Sequence, residues 1–186
     1  MNKSEDFLGF TNSEQDTELV NTLSTQSLLE DYVLKQMECL TDALFEISVA
    51  GYKSTHWCWY FFPNMPGLGT SDNAKHFAVD LETYMKLLQD EQFRRNIFTM
   101  MVAVDQAYRN SDHMDLEHLL GDNPVDVLKW RSFLTLTWFA YNNMPGPLFD
   151  WEPKVVNIIQ HSKKSYGWCE ETWNRYKGYS TIYAMD

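Results

Sequence analysis

The sequence predicts a compact, all-α, single-domain protein with several helices. Its 186 residues are enough for one sizeable core, and 44% hydrophobic with 15% aromatic content suits a globular fold. Apolar residues recur at three- and four-residue spacing in most of the chain, which is the pattern of amphipathic helices. A cluster of two prolines and two glycines, residues 63–69, interrupts this pattern and predicts an irregular, aromatic-rich segment between helices.

Charge and composition exclude several classes of protein. The net charge of −11 and the absence of a basic stripe argue against a nucleic-acid-binding protein. Cys39, Cys58 and Cys169 have no metal-binding spacing, and their odd number favours a reducing compartment. No apolar run approaches the ~18 residues of a membrane span, and the N-terminus lacks the pattern of a secretory signal. We therefore expect a cytoplasmic protein with no membrane, metal or cofactor.

The first part of the chain predicts an arm followed by a long helix. Residues 1–26 are polar and acidic, as in a loosely held N-terminal arm, and residues 27–186 form the helical domain. Ser27 and Glu30 fit a capping box at the start of the first helix. The apolar periodicity then continues to Gly51, which suits a helix end.

Two further helices are predicted after the irregular segment. One starts at residues 71–74, and Asp90 caps the next, which runs to Asn110. The first of the two carries an apolar stripe from Phe77 to Leu88.

The remaining elements follow from caps and breakers. Residues 115–120 predict a helical turn that ends at Gly121. Another helix starts at Pro124, although residues 135–140 also suit a strand. Residues 142–147 predict a loop. The last helices are expected at residues 154–161 and 169–177, and the tyrosines of an aromatic tail follow: Tyr176, Tyr179 and Tyr183.

The stretch from Lys53 to Ser71 holds the first candidate site residues. His56 lies among aromatic residues and is either a satisfied core histidine or a general acid/base. The turn from Gly67 through Gly69 to Ser71 is either a helix-capping turn or an anion cradle of backbone N–H groups.

Other residues add to these candidates. Trp57 and Trp59 suit either an aromatic core or stacking on a planar ligand. Lys53 supplies a charge close to His56 in sequence. Lys129 and Ser132 lie three residues apart on a predicted helix, where they form either an ordinary surface or an edge that binds phosphate or carboxylate.

The order of these motifs resembles the bacterial domain-of-unknown-function 1810 family, sometimes labelled calpastatin-like. The resemblance covers residues 30–140. Asn64 departs from the pattern, because a glutamine is usual there, and residues 150–186 form an aromatic-rich extension without a counterpart. The matching residues are Tyr32, Val33, Gln36, Lys53, His56, Trp57, Trp59, Phe62, Pro63, Gly67, Leu68, Gly69, Ser71, Ala74, Lys129, Trp130, Ser132, Thr135 and Leu136.

The resemblance implies a compact multi-helical fold and a polar pocket, but no reaction. Lys53, His56, Ser71, Lys129 and Ser132 are expected to converge there. The leading hypothesis is that this pocket binds a small anionic, phosphorylated molecule such as a nucleotide or an ADP-ribose-like metabolite. The ligand-binding residues would be Lys53, Trp57, Trp59, Asn64, Gly67, Gly69, Ser71, Lys129 and Ser132.

Two alternatives belong to other functional classes. The first is a hydrolase or transferase that acts on such a ligand, with His56 as the acid/base. The second is an acidic interaction module or regulator, encoded by a phage or mobile element, that docks a protein partner through its acidic surface or its terminal segments.

Overall fold

A computed structural model describes residues 12–111, 115–144 and 152–179, and these residues form an all-α fold. In those ranges the one pairing of β type is an isolated bridge between Asn64 and Ala78. Nowhere in the described part does a helix combine the length and the apolar character that a bilayer crossing needs. The elements in chain order are α1 (Asn12–Phe45), a π-helix (Glu46–Ala50), α2 (Cys58–Phe61), α3 (Asp72–His76), α4 (Leu81–Leu87), α5 (Glu91–Arg109), α6 (Leu116–Leu119), α7 (Pro124–Asn143), α8 (Glu152–Tyr166), α9 (Glu170–Tyr176) and a 3₁₀-helix (Lys177–Tyr179).

The start of α1 differs from the prediction. The helix begins at Asn12, fifteen residues before the predicted capping box at Ser27, so much of the predicted arm is helical. No glycine or proline interrupts the chain between Asn12 and Phe45. Once the packed turns have formed, adding further helical residues costs little free energy, because nucleation is already complete. Residues 1–11 of the predicted arm lie outside the described residues.

The end of α1 agrees with the prediction. The helix passes into the π-helix, and Gly51 ends it with a left-handed φ of 66°. Tyr32, Ala43 and Ile47 are completely or almost completely buried on the inner face. Buried Gln36 donates to the backbone oxygen of Tyr60 and accepts from Asn96, so polar groups also tie α1 to α2 and α5.

The predicted single helix from residue 71 to Leu88 is two helices. Ser71 caps α3 by accepting the N–H of Ala74, and Asp80 caps α4 by accepting the N–H of Thr83. Between them the backbone N–H of Val79 donates to the carbonyl of Asn64 instead of continuing a helix. The second capping signal explains the break, since an aspartate side chain competes for backbone N–H groups.

The other predicted helices are confirmed. Asp90 caps α5, Asp115 caps α6 and Pro124 opens α7. Most of α7 is buried between α4, α6, α8 and α9. Such all-round burial explains why its sequence also suited a strand. Residues 145–147 of the predicted loop and Tyr183 of the aromatic tail lie outside the described residues.

Candidate functional site

A buried cluster of three charged side chains joins the irregular segment to α7. The Lys53 ammonium lies 2.7 Å from Oδ2 of Asp126. The Lys129 ammonium lies 2.6 Å from Oδ1 of the same carboxylate. The side chains are only 3–6% exposed, so all three charges are held away from bulk water. Two ammonium groups therefore share one carboxylate.

Local structure places these three residues. Asn123 caps α7 by accepting the N–H of Val125, and Asp126 then falls in the first helical turn with Lys129 three residues later. The backbone N–H of Lys53 donates to the carbonyl of Leu119. A Cβ atom at Gly121, where φ is +82°, would come within 2.6 Å of the Lys53 carbonyl, so this close approach needs glycine.

Trp59 forms the aromatic wall beside the cluster. The Lys129 ammonium lies 3.1 Å from the centre of the Trp59 ring, in a cation–π contact. Gly69 packs near the far edge of the indole, because a Cβ there would be 3.5 Å from a Trp59 ring carbon and 2.7 Å from Cβ of Ala74. One face of Trp59 is therefore already occupied by a cation.

Glu46 fixes the turn that leads into this wall. Its carboxylate accepts hydrogen bonds from the Ser54 hydroxyl, the backbone N–H groups of Ser54 and Thr55, and the Trp57 indole. Burial alone would raise the pKa of Glu46, but these bonds outweigh it and lower the pKa to about 2. The turn that carries Lys53 and His56 is thus held by an ionised carboxylate.

A cavity of about 190 Å³ opens beside the charged cluster. His56 lines it and is exposed, and His56 makes no hydrogen bond with any residue that the structure describes. The cavity is lined by Lys53, His56, Cys58, Trp59, Asn123, Val125, Asp126 and Lys129.

The electrostatics of the cavity wall favour an anion. Burial acts to raise the pKa of Asp126, but hydrogen bonds from Lys129 and Lys53 lower it below its usual range, so the carboxylate is ionised. Burial and the Asp126 charge raise the pKa of the Cys58 thiol well above its usual value, which leaves it protonated. The cluster then carries one excess positive charge. Each ammonium has three N–H donors, of which Asp126 takes one.

The structure brings four of the sequence-predicted site residues together. Lys53, His56, Trp59 and Lys129 all line the cavity, although Lys129 is 76 positions after Lys53 in the chain. Whether they bind a ligand stays a prediction.

Two other predicted residues, Trp57 and Asn64, have structural roles elsewhere. Trp57 is 1% exposed and donates to Glu46, so neither ring face is accessible for stacking. Asn64 is buried, donates to the Phe62 carbonyl and pairs with Ala78.

Ser132 does not lie at the cavity. It is fully buried and shares a hydrogen bond with Thr172 in α9. Because an α-helix has 3.6 residues per turn, Ser132 points about 60° away from Lys129 around the axis of α7. This rotation directs Ser132 towards α9, whereas Lys129 faces the cavity.

The glycine turn lies behind the cavity wall and does not line it. Ser71 uses its hydroxyl to cap α3. Gly67 has a positive φ of 100° and open space around it, as in a simple turn. Gly69 supports Trp59. Ser71 therefore does not lie beside His56 and Lys129 at this cavity, contrary to the prediction.

Sequence reasoning missed the residue at the centre of the cluster. Asp126 was one of many scattered carboxylates, and Glu46 was another. One local signal was present, because Asn123-Pro124 marks a helix start and places Asp126 and Lys129 on one face. The partnership with Lys53 depends on tertiary structure and left no sequence signal.

A larger groove, of about 570 Å³, lies between α1 and the α3–α4 segment. Four of its charged groups form exposed pairs, His76 with Asp31 at 2.8 Å and Lys86 with Glu82 at 2.8 Å, and Asp80 caps α4. Exposed pairs of this kind carry little interaction energy, so size alone does not make the groove the better candidate. Within the described ranges, no group of three or more His, Cys, Asp or Glu side chains is placed to hold a metal ion.

The fold and site define a small all-α protein with a lysine–aspartate–lysine cluster at a surface cavity. The chain belongs to the family described as "Protein of unknown function (DUF1810)", whose sequence model matches residues 26–150. The match includes every predicted site residue and Asp126.

Two individual proteins are similar to parts of this chain. The fold is similar to the crystal structure of the conserved hypothetical protein Rv1873 from Mycobacterium tuberculosis, with a TM-score of 0.63, 24% identity, and coverage of 79% of this chain and 94% of the other. The sequence is also 29% identical over 116 residues to endoplasmic reticulum oxidoreductin-1 from Neurospora crassa. That match covers 61% of this chain but only 17% of the Neurospora protein.

Proposed function

We propose that the protein binds the anionic head group of a small molecule, a phosphate or a carboxylate, in the cavity beside Lys53 and Lys129. The observation that carries the proposal is that two buried ammonium groups share a single carboxylate at the cavity wall. An excess buried charge is costly unless a counter-charge or water solvates it. An anion in the cavity supplies that counter-charge and accepts the remaining N–H donors.

The size and walls of the cavity limit what enters it. A volume of about 190 Å³ is smaller than the roughly 300–1,000 Å³ of pockets that enclose whole drug-sized ligands. Trp57 is buried, and Lys129 covers one face of Trp59. A nucleotide or an ADP-ribose-like molecule would therefore place a phosphate in the cavity and its base outside, without stacking on these two tryptophans.

Inorganic phosphate is a suitable probe, with acetate as the carboxylate counterpart. In an NMR titration of the full chain, we expect either ion to shift the backbone signals of Lys53–Trp59 and Asn123–Lys129. Lys129→Met keeps an apolar stem beside Trp59 but leaves one lysine and one aspartate, so the excess charge disappears. We expect at least about a tenfold loss of affinity, or about 1.4 kcal/mol.

Lys163→Met is the matched control. The Lys163 ammonium also lies over a tryptophan, 5.6 Å from the ring centre of Trp168, but it does not line the cavity. We expect this variant to bind like the wild type. The proposal fails if neither ion shifts the cavity signals, or if the two variants lose affinity equally.

A second candidate function is an enzyme that uses the same cavity. The exposed position of His56 at the cavity, without a hydrogen bond to any described residue, favours this candidate because such an imidazole can exchange protons with a ligand. A panel of nucleotides and ADP-ribose tests for turnover. His56→Ala should abolish turnover and keep binding, whereas loss of both would assign His56 to binding alone.

A further inference from the structure

The outer face of α1 carries an unusual share of the exposed apolar surface. Eight large apolar side chains are exposed in the described part of the chain; four of them lie on α1, and Val49 and Tyr52 follow shortly after its end. Leu34 is 56% exposed, Met37 68%, Phe45 58% and Val49 70%. Exposed apolar side chains are usually scattered singly, so this grouping indicates an interaction surface.

The spacing of these residues places them on one side of the helix. Leu23, Leu34 and Phe45 are eleven residues apart, which is close to three helical turns, or about 16 Å of rise per step. Met37 follows Leu34 by three residues, and Val49 follows Phe45 by four. The opposite side of α1 is already used, because Tyr32 and Ala43 are buried in the core, as is Ile47 in the π-helix that follows.

The charges beside this apolar stripe are mainly negative. Glu30, Glu38 and Asp42 are exposed, and Lys35 is the one cation between them. Lys35 is already paired with Glu38 at 2.8 Å. Glu30 and Asp42 have no cationic partner among the residues that the structure describes. The face therefore combines a stripe of apolar side chains with unpaired carboxylates.

We propose that this face of α1 docks an amphipathic helix of another protein, whose apolar stripe is flanked by lysine or arginine. Apolar contact with Leu34, Met37 and Phe45 would supply most of the affinity, and basic flanks would complement Glu30 and Asp42. A second copy of this chain fits less well, because its acidic face and its net charge of −11 would be repelled. The proposal does not depend on the anion cavity.

Two synthetic helical peptides of about 18 residues test the proposal. Both carry the same leucine stripe, and their flanking positions are lysine in one and glutamate in the other. In an NMR titration of the full chain, the lysine peptide should shift the signals of Glu30–Val49 and bind more weakly at high salt. The glutamate peptide should leave them unchanged.

Two substitutions test which residues of the protein bind the peptide. Phe45→Glu should weaken binding of the lysine peptide by at least about tenfold. Tyr179→Glu is the control, because Tyr179 is as exposed as Phe45, at 61% against 58%, but lies outside α1.

Three results would overturn the proposal. The first is that neither peptide shifts these signals, and the second is that both peptides bind equally. The third is a dimer in sedimentation equilibrium that Phe45→Glu dissociates, which would mean that a second copy covers the face.

Discussion

Replacing Glu46 by glutamine tests whether an ionised carboxylate holds the turn before the cavity. The change keeps the shape of the side chain but removes the charge that accepts bonds from Ser54, Thr55 and Trp57. Folding lowers the pKa of Glu46 from 4.5 to about 2. At 1.36 kcal/mol per pKa unit, this corresponds to at most ~3 kcal/mol of stability at pH 7.

The pH dependence gives the test its direction. A pKa lowered on folding contributes stability that is fully present above the unfolded value and is lost as the pH falls towards the folded value. The free energy of unfolding of Glu46→Gln should therefore be ~2–3 kcal/mol below that of the wild type at pH 7, and the difference should shrink between pH 5 and pH 2. Urea unfolding at several pH values measures both.

Glu30→Gln is the matched control, because Glu30 is an exposed carboxylate on α1, the helix that leads into the π-helix of Glu46. It should change stability by less than about 0.5 kcal/mol. The reasoning is refuted if Glu46→Gln is as stable as the wild type at pH 7, or if its deficit does not depend on pH.

Three further substitutions probe the site and its surroundings. Asp126→Asn should lower the free energy of unfolding by ~3–5 kcal/mol, because it leaves two buried ammonium groups without their counter-charge. Chemical denaturation measures this free energy, and a change below ~1 kcal/mol would contradict the prediction. Gly69→Ala should lower the free energy of unfolding by ~1–3 kcal/mol, since the new Cβ would lie 2.7 Å from Cβ of Ala74. Thermal unfolding measures the change, and a melting temperature equal to that of the wild type would contradict it. Ser132→Ala should lower the free energy of unfolding by ~1 kcal/mol, because the hydrogen bond to Thr172 is lost, but leave phosphate affinity unchanged. A loss of phosphate affinity in the NMR titration would contradict this and indicate that Ser132 takes part in binding.

Much of the fold was predictable because its signals are local. Asp90, Asp115 and Pro124 each marked a helix start that the structure confirms. The start of α1 was not predictable from capping residues, since the helix continues through Ser27 without interruption to Asn12. A cap preference is worth only about 1 kcal/mol and does not stop a helix by itself.

The site was predictable only in part. The motif that contains Lys53 and His56, together with distant Lys129, pointed to one pocket, and these residues do line one cavity. The anion cradle at Ser71 was not found at the cavity, because a hydroxyl next to a helix start serves equally well as a cap. Asp126 was missed because a buried ion pair depends on which segments meet in three dimensions.

The most direct test of the anion site compares phosphate affinity in the wild type, Lys129→Met and Asp126→Asn. The three proteins differ in the net charge of the cluster, which is +1 in the wild type, zero without the lysine and +2 without the carboxylate. All three should be measured by calorimetry at a temperature where Asp126→Asn remains folded. We expect Asp126→Asn to bind phosphate more tightly than the wild type, and Lys129→Met to bind it more weakly. Equal affinities in the three proteins, or no binding to the wild type, would show that the cluster is only a structural ion pair.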